Sequence, residues 1–354
     1  MIDAELEYRS ILLRLGRRDK SELENQLIER IAAQKSIIEQ NILRDKQHLA
    51  IVNFCAGKFS VGSRLNARTS YVWIRVEPLY GSGVATFDLA IYNRDSRVLI
   101  LVECKSALRE PKRELDDLTR KIETTIAKKS ELEVLVGDDI NYLEFAFCIK
   151  AGDAPLVRPL IVSKNLPCCL WSADIFGETL ILEKLKEDSL SEIKERRLHR
   201  DERLREQLVR GSQDRRSLRT VTFLPSSHMA TILEELIPQL RTELDNSQAD
   251  EFGLADLKNL LARELSLQNF GVEEQITLSE KVIKSALDSG LFVDMAKDVE
   301  NILEKKFRLS SQTRQHRKLI EDCHKKYVEH HAKVNALERT VQEYRVKHPA
   351  IGKY

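Results

Sequence analysis

Asp88 in the stretch FDLAIY, and Glu103 and Lys105 in LILVECKS, bring two carboxylates and an ammonium close together in the chain. Two carboxylates on one mostly apolar surface lose hydration and repel each other, and a cation between them relieves both costs. Mg2+ suits that role because it takes hard oxygen ligands, accepts one or two carboxylates and completes its shell with water and phosphate oxygens. Hydrolysis of a phosphodiester bond is the chemistry such a set serves.

The elements that position these groups can be read from the pattern around them. Val84 to Tyr92 and Val98 to Val102 are strand-like, and Asn93 to Ser96 between them is a turn signal, so the spacing predicts a β-hairpin. Alternate strand residues share a face, which groups Leu99, Leu101, Glu103 and Lys105. With Asp95 and Ser96 at the tip, Asp88 falls opposite Glu103 on that face.

An acidic residue on one strand and an acidic-x-Lys tripeptide at the end of the next resemble the PD-(D/E)xK nuclease superfamily, with Phe87 where a proline often precedes the aspartate. The resemblance implies a restriction-endonuclease-like fold and a Mg2+-dependent DNA endonuclease, with Mn2+ as a substitute, hydrolysing DNA through a metal-activated water in restriction, defence or repair. Asp88 and Glu103 would hold the metal, the Cys104 carbonyl would add a ligand, and Lys105 would position or polarise the water.

The flanking order is helix, strand, strand, strand, helix, strand. Ser21 with Glu24 forms a capping-box pattern, and Leu23, Leu27, Ile31, Ile38 and Ile42 recur at helical spacing to about Phe54. YVWIRVEPL is rich in β-branched and aromatic residues, and Gly81 with Gly83 supplies the turn into the Asp88 strand. Leu115, Leu118, Ile122 and Ile126 place a helix from Pro111 to about Glu133, and YLEFAFCIK, PLIVSKN and CCLWSADI read as strands. The fold class expected is therefore α/β, a mixed sheet flanked by helices over residues 1–187, followed by a mainly α-helical C-terminal region.

Relatives of this superfamily often use a further acid from the helix before the sheet, and Glu24, Glu29 and Glu39 are the candidates. If that helix runs antiparallel to a strand of about 25 Å, roughly 16 helical residues span it, and Glu39 falls nearest the site.

With 354 residues and 42% hydrophobic content the chain can bury a sizeable core, and its length favours more than one domain. No apolar run approaches a membrane span, and MIDAELEYRS lacks the apolar stretch of a signal peptide, so a cytoplasmic location without membrane contact is expected. Cys55, Cys104, Cys148, Cys168, Cys169 and Cys323 show no C-x-x-C pair and read as reduced core residues. Cys323, His324, His330 and His331 lack the second ligand pair of a zinc finger. No phosphate-cradling glycine loop or Cys/His nucleophile set points to a small-molecule enzyme.

Residues 188–226 are strongly charged, with a basic excess in SEIKERRLHRDERLREQLVRGSQDRRSLRT, and read as a helical linker, either laced by salt bridges or lying along a phosphate backbone. Over 227–306, ATILEELIPQL, LADLKNLLAREL and LSEKVIKSALDSGLF predict three helices of a helical or winged-helix module, in which Ser279, Lys281 and Lys284 would face DNA. The basic, histidine-containing stretch 307–354 carries Leu319, Tyr327, Val334, Leu337, Val341 and Tyr344 near helical spacing, compatible with packing on the chain's own core or with a homodimer through the C-terminal helices. The net charge is only +1, so DNA contact would rest on local basic stretches, Arg196 to Arg219 and Lys305 to Lys333. A nucleic-acid-binding or assembly protein that keeps a nuclease-like core without catalysis is the competing reading.

Overall fold

The run VLILVECK has no polar alternation, as expected of a strand covered on both faces. In the computed structural model it is β3 (Val98–Lys105), buried from Val98 through Cys104. The structure describes residues 2–185, 197–213, 221–264, 272–296, 298–299, 301–311 and 313–348.

β2 (Leu89–Asn93) and then β1 (Val72–Val76) add antiparallel on one side of β3. On the other side β4 (Tyr142–Lys150) and β5 (Cys169–Asp174) add in parallel. β6 (Thr179–Leu182) and the two-residue β7 (Ser212–Gln213) close the sheet antiparallel, so all seven strands lie side by side in chain order. The expected mixed sheet of an α/β protein is present.

Parallel neighbours need crossover connections. The first is α4 (Pro111–Ile126) with α5 (Lys129–Val136), and the second is α6 (Ala154–Ser163). Leu115, Leu118 and Ile122 of α4, with Val157 and Ile161 of α6, join Leu99, Leu101, Phe145 and Phe147 in one buried cluster. PLIVSKN is thus largely helical, not a strand. Its β-branched residues mimic a strand, but Pro155 stands in the first turn and Val157 and Ile161, four apart, both face the sheet.

At the N-terminus α1 (Ile2–Arg14) precedes α2 (Arg17–Lys58). α2 begins before Ser21, so Ser21 is an interior helical residue and the expected capping box does not start the helix. α3 (Arg64–Thr69) is capped instead by Ser63, whose side chain accepts from the Asn66 N–H at 3.1 Å.

The chain forms two compact units, and their limits differ from those read in the sequence. One comprises 46–227 with 261–275, and the other 1–45 with 228–260 and 276–354. The described part of the 188–226 stretch belongs to the sheet unit and is not a linker: α7 (Glu202–Val209) packs against β6 and α3, and β7 joins the sheet. Of that stretch, 188–196 and 214–220 lie outside the described residues.

The other unit holds α8 (Met229–Ser247), α9 (Leu254–Glu264) and α10 (Val272–Asp288), except for the ends of α9 and α10 that fall in 261–275. The hairpin of β8 (Phe292–Asp294) and β9 (Phe307–Leu309) follows. Phe252, between α8 and α9, pairs antiparallel with Phe307, adding a third short extended segment. α11 (His316–Lys347) packs on α8 and α1, and Leu337 and Val341 bury against Tyr8 and Ile11. Its apolar stripe therefore serves the chain's own core. No helix among the described residues is long and apolar enough to cross a membrane.

Candidate active site

The hairpin that carries the carboxylates is closed by Asn93, whose Oδ1 accepts from the N–H of Asp95 at 2.9 Å and of Ser96 at 3.1 Å. Asn93 pairs with Val98 and Leu89 with Val102, the register that a tip at Asp95 and Ser96 predicts. The strand begins only at Leu89, so Val84 to Asp88 are not the strand residues expected. Phe87 joins the buried cluster of Ala90 and Tyr92, against strict alternation, and the Asp88 N–H donates to Val102 O at 3.0 Å. Asp88 thus leaves the regular ladder just before Glu103 would face it.

The two carboxylates take separate partners. Asp88 Oδ2 accepts from the Cys104 N–H at 2.6 Å, and Oδ1 lies 3.1 Å from Nε2 of His48 on α2. Glu103 Oε1 lies 2.9 Å from Lys105 Nζ, and Oε2 accepts from Lys121 Nζ of α4 at 2.6 Å. Lys121 also donates to Thr86 O at 2.8 Å, tying α4 to the loop before Asp88. Both acids are buried, at 8% exposure for Asp88 and 5% for Glu103.

A third carboxyl adjoins the pair. Glu77 follows β1, donates its N–H to Asp88 O at 3.1 Å and is 3% exposed. Its side chain accepts from the Ser226 N–H at 2.9 Å and from the Ser226 hydroxyl. Its φ of 44° lies in the left-handed region that non-glycine residues seldom occupy.

Burial and charge set the protonation of the site. Burial pushes Glu77 up to about 7, and the nearby Asp88 charge adds to this against the Ser226 hydrogen bonds. Burial also opposes the Asp88 charge, but His48, Lys121 and the Cys104 N–H outweigh it and hold Asp88 below the ordinary aspartate value. Desolvation of His48 is outweighed by Asp88, which raises the imidazole pKa. Burial works against the Lys105 ammonium, yet Glu103 beside it raises Lys105 above the ordinary lysine value. The like-charge conflict that called for a metal is thus met by Lys105, Lys121 and His48.

The donor set still fits a hard cation. A carboxylate offers about four lone-pair directions, and the bonds above use two on Asp88 and two on Glu103. Within a strand the N–H and C=O of one residue project to the same edge, so the Cys104 carbonyl shares the edge from which its N–H reaches Asp88.

Glu39 does not join this set. It belongs to the other unit and its side chain is exposed, as is that of Glu29. The residue that α2 brings to Asp88 is His48, farther along the helix than any acid the span estimate selected. Helical periodicity gives a histidine no special mark, so His48 was not legible. Lys121 lay within the predicted helix after Lys105 but carried no signal beyond its type. Glu77 was hidden by the irregular β1–β2 pairing, whose register shifts between Trp73 and Arg75.

Several described residues of the basic stretches are engaged. Arg197 is 4% exposed and donates Nε to Leu166 O at 3.0 Å, while the Arg200 guanidinium stacks 4.3 Å from the Tyr142 ring. Arg205 and Arg210 pair with Glu202 and Glu206 of their own turn, and Lys305 pairs with Asp294. On α10 Lys281 and Lys284 are exposed, but Ser279 is wholly buried and unavailable to a duplex. His324, from the rejected zinc set, lies 2.8 Å from Glu234. Among the described residues only Cys55, Cys104 and Cys148 form a set of three or more His, Cys, Asp or Glu donors within 4.8 Å of one another. Compared with family models, curated proteins and solved structures, the chain matches none.

Proposed function

We propose that this protein is a metal-dependent deoxyribonuclease of the PD-(D/E)xK kind, hydrolysing phosphodiester bonds at Asp88, Glu103 and Lys105. The observation that carries the reading is the gathering of these three groups at the adjoining ends of β2 and β3, with both carboxylates buried and bounded further by Lys121 and His48. Restriction-endonuclease-like topology is part of the proposal, supported by three antiparallel strands, a helical crossover and a parallel fourth strand.

Asp88, Glu103 and the Cys104 carbonyl would hold Mg2+ or Mn2+, which supplies charge neutralisation at the phosphate and acidification of water. The chain's own groups do the positioning. His48 and the Cys104 N–H fix the Asp88 carboxylate, and Lys121 fixes Glu103 while balancing its charge. Lys105 presents a permanently charged ammonium to the attacking water and to the negative charge that grows on the phosphate. DNA is the expected substrate. The three helices and hairpin of the C-terminal region, with Phe252 as the added strand segment, support a winged-helix reading and a target-binding role.

One observation favours a second reading. The carboxylates are already compensated by Lys105, Lys121 and His48, which is what a scaffold without catalysis would also require. Incubating the protein and its D88N and K105A variants with plasmid, linear duplex and single-stranded DNA in Mg2+, Mn2+ or EDTA separates the two. Metal-dependent cleavage lost in both variants is the expected result. DNA binding in Ca2+ with no cleavage in Mg2+ or Mn2+ would replace the enzyme by the binding protein.

A further inference from the structure

Three of the six cysteines gather within the sheet unit. Cys55 on α2, Cys104 on β3 and Cys148 on β4 are wholly buried, and their sulfurs lie within 4.8 Å of one another, with Cys55 Sγ 3.2 Å from Cys148 Sγ. Cys104 and Cys148 are register partners across the parallel pair, so their side chains share one face, and α2 lays Cys55 over both.

Three sulfurs arranged in a plane around one ion, each bonded at about 2.3 Å, stand about 4.0 Å apart. Cys55 and Cys148, 3.2 Å apart, would open by about 0.8 Å to reach that spacing, and the two separations to Cys104 lie within 4.8 Å. Structural zinc takes four ligands, and an open zinc site takes three plus water. Here no fourth His, Cys, Asp or Glu donor lies within 4.8 Å of all three sulfurs among the described residues, and the three cysteines have no exposed surface. Thiolates select soft ions, and among these monovalent copper is content with three sulfurs.

We propose that Cys55, Cys104 and Cys148 form a three-coordinate Cu+ site, independent of the nuclease reading. Thiolate is the form that binds copper, so each thiol that becomes a ligand releases its proton to solvent. Loading must strengthen as pH rises. Cys104 carries the N–H that fixes Asp88, so a loaded trio is bonded to the strand that bears Glu103 and Lys105.

The test is anaerobic titration of the reduced full-length chain with Cu+ buffered by a chromogenic Cu+ chelator at pH 6, 7 and 8. The chain is expected to withdraw one Cu+, more tightly at higher pH, with a sulfur-to-copper charge-transfer band in the ultraviolet and three sulfur neighbours in copper X-ray absorption. C148A and C55A should each weaken uptake by roughly tenfold or more. C168A removes an equally buried thiol outside the trio and should bind as the parent does. Circular dichroism identifies any variant that has not folded, and C148A and C55A then substitute for each other. Copper left with the chelator by the parent, uptake unchanged in a folded C148A or C55A, or a copper centre with fewer than three sulfurs would overturn the proposal.

Discussion

Replacing Asp88 by alanine removes the acceptor of the buried Cys104 N–H and the partner of His48 together. An unsatisfied buried donor costs about 1–3 kcal/mol, so D88A should lose stability as well as cleavage. D88N keeps a side-chain oxygen for the Cys104 N–H and should melt closer to the parent, which thermal unfolding of both variants will show. Glu77 has a pH signature. Its carboxyl is neutral in the fold up to about 7, whereas in the unfolded chain it ionises near the ordinary value of about 4.3. The unfolded state alone therefore releases a proton as pH rises between these values, and stability falls across that window by up to about 4 kcal/mol, then levels off. E77Q should match the parent near pH 4 and exceed it at pH 8 in denaturant midpoint. A parent whose stability did not decline from pH 5 to 7 relative to E77Q would remove the neutral-carboxyl assignment.

The hairpin of β2 and β3 carries Glu103, and α4 ties to it through Lys121. Asn93 is 4% exposed, closes the turn with two accepted hydrogen bonds and donates Nδ2 to Thr69 O at 2.9 Å. N93A should cost about 2 kcal/mol and lower the denaturant midpoint with an unchanged slope. Lys121 joins α4 to both Glu103 and Thr86 O. K121M keeps the aliphatic length but withdraws one of the two cations on Glu103. Under the proposed function it should depress kcat far more than DNA affinity, and tighten Mg2+ binding because Glu103 becomes more available. Equal loss of kcat and affinity would place Lys121 at the nucleic acid instead.

Segments far apart in sequence complete the sheet unit. His199 Nε2 accepts from Trp171 Nε1 at 2.8 Å, and Glu144 meets His199 Nδ1 at 2.7 Å and the Arg200 N–H at 3.0 Å. The Asn53 amide exchanges hydrogen bonds with the Val221 backbone, and Ser226 holds Glu77. A fragment ending at residue 187 takes His199, Arg200 and Ser226 away from the buried Trp171, Glu144 and Glu77, and Val221 away from Asn53. At about 1–3 kcal/mol each, the sum rivals the whole stability of a typical domain, about 5–15 kcal/mol. Fragment 46–227 should therefore resist proteolysis far longer than 46–187, and equal resistance would show that the later segments only decorate the sheet.

Local pattern determined the sheet-forming runs, the hairpin register and the triple of Asp88, Glu103 and Lys105, because strand periodicity and a strong turn residue act over a few neighbours. It misread PLIVSKN, where the need to connect two parallel strands outweighed β-branched propensity. It also misplaced the helix start and the acid on α2, since burial against other elements sets where that helix begins and which side chain reaches Asp88. His48, Lys121 and Glu77 around the carboxylates, and the three sulfurs of Cys55, Cys104 and Cys148, come together only when distant elements pack. Thiol convergence and the contacts of His48 and Lys121 with the carboxylates are long-range properties, and chain spacing holds no record of either.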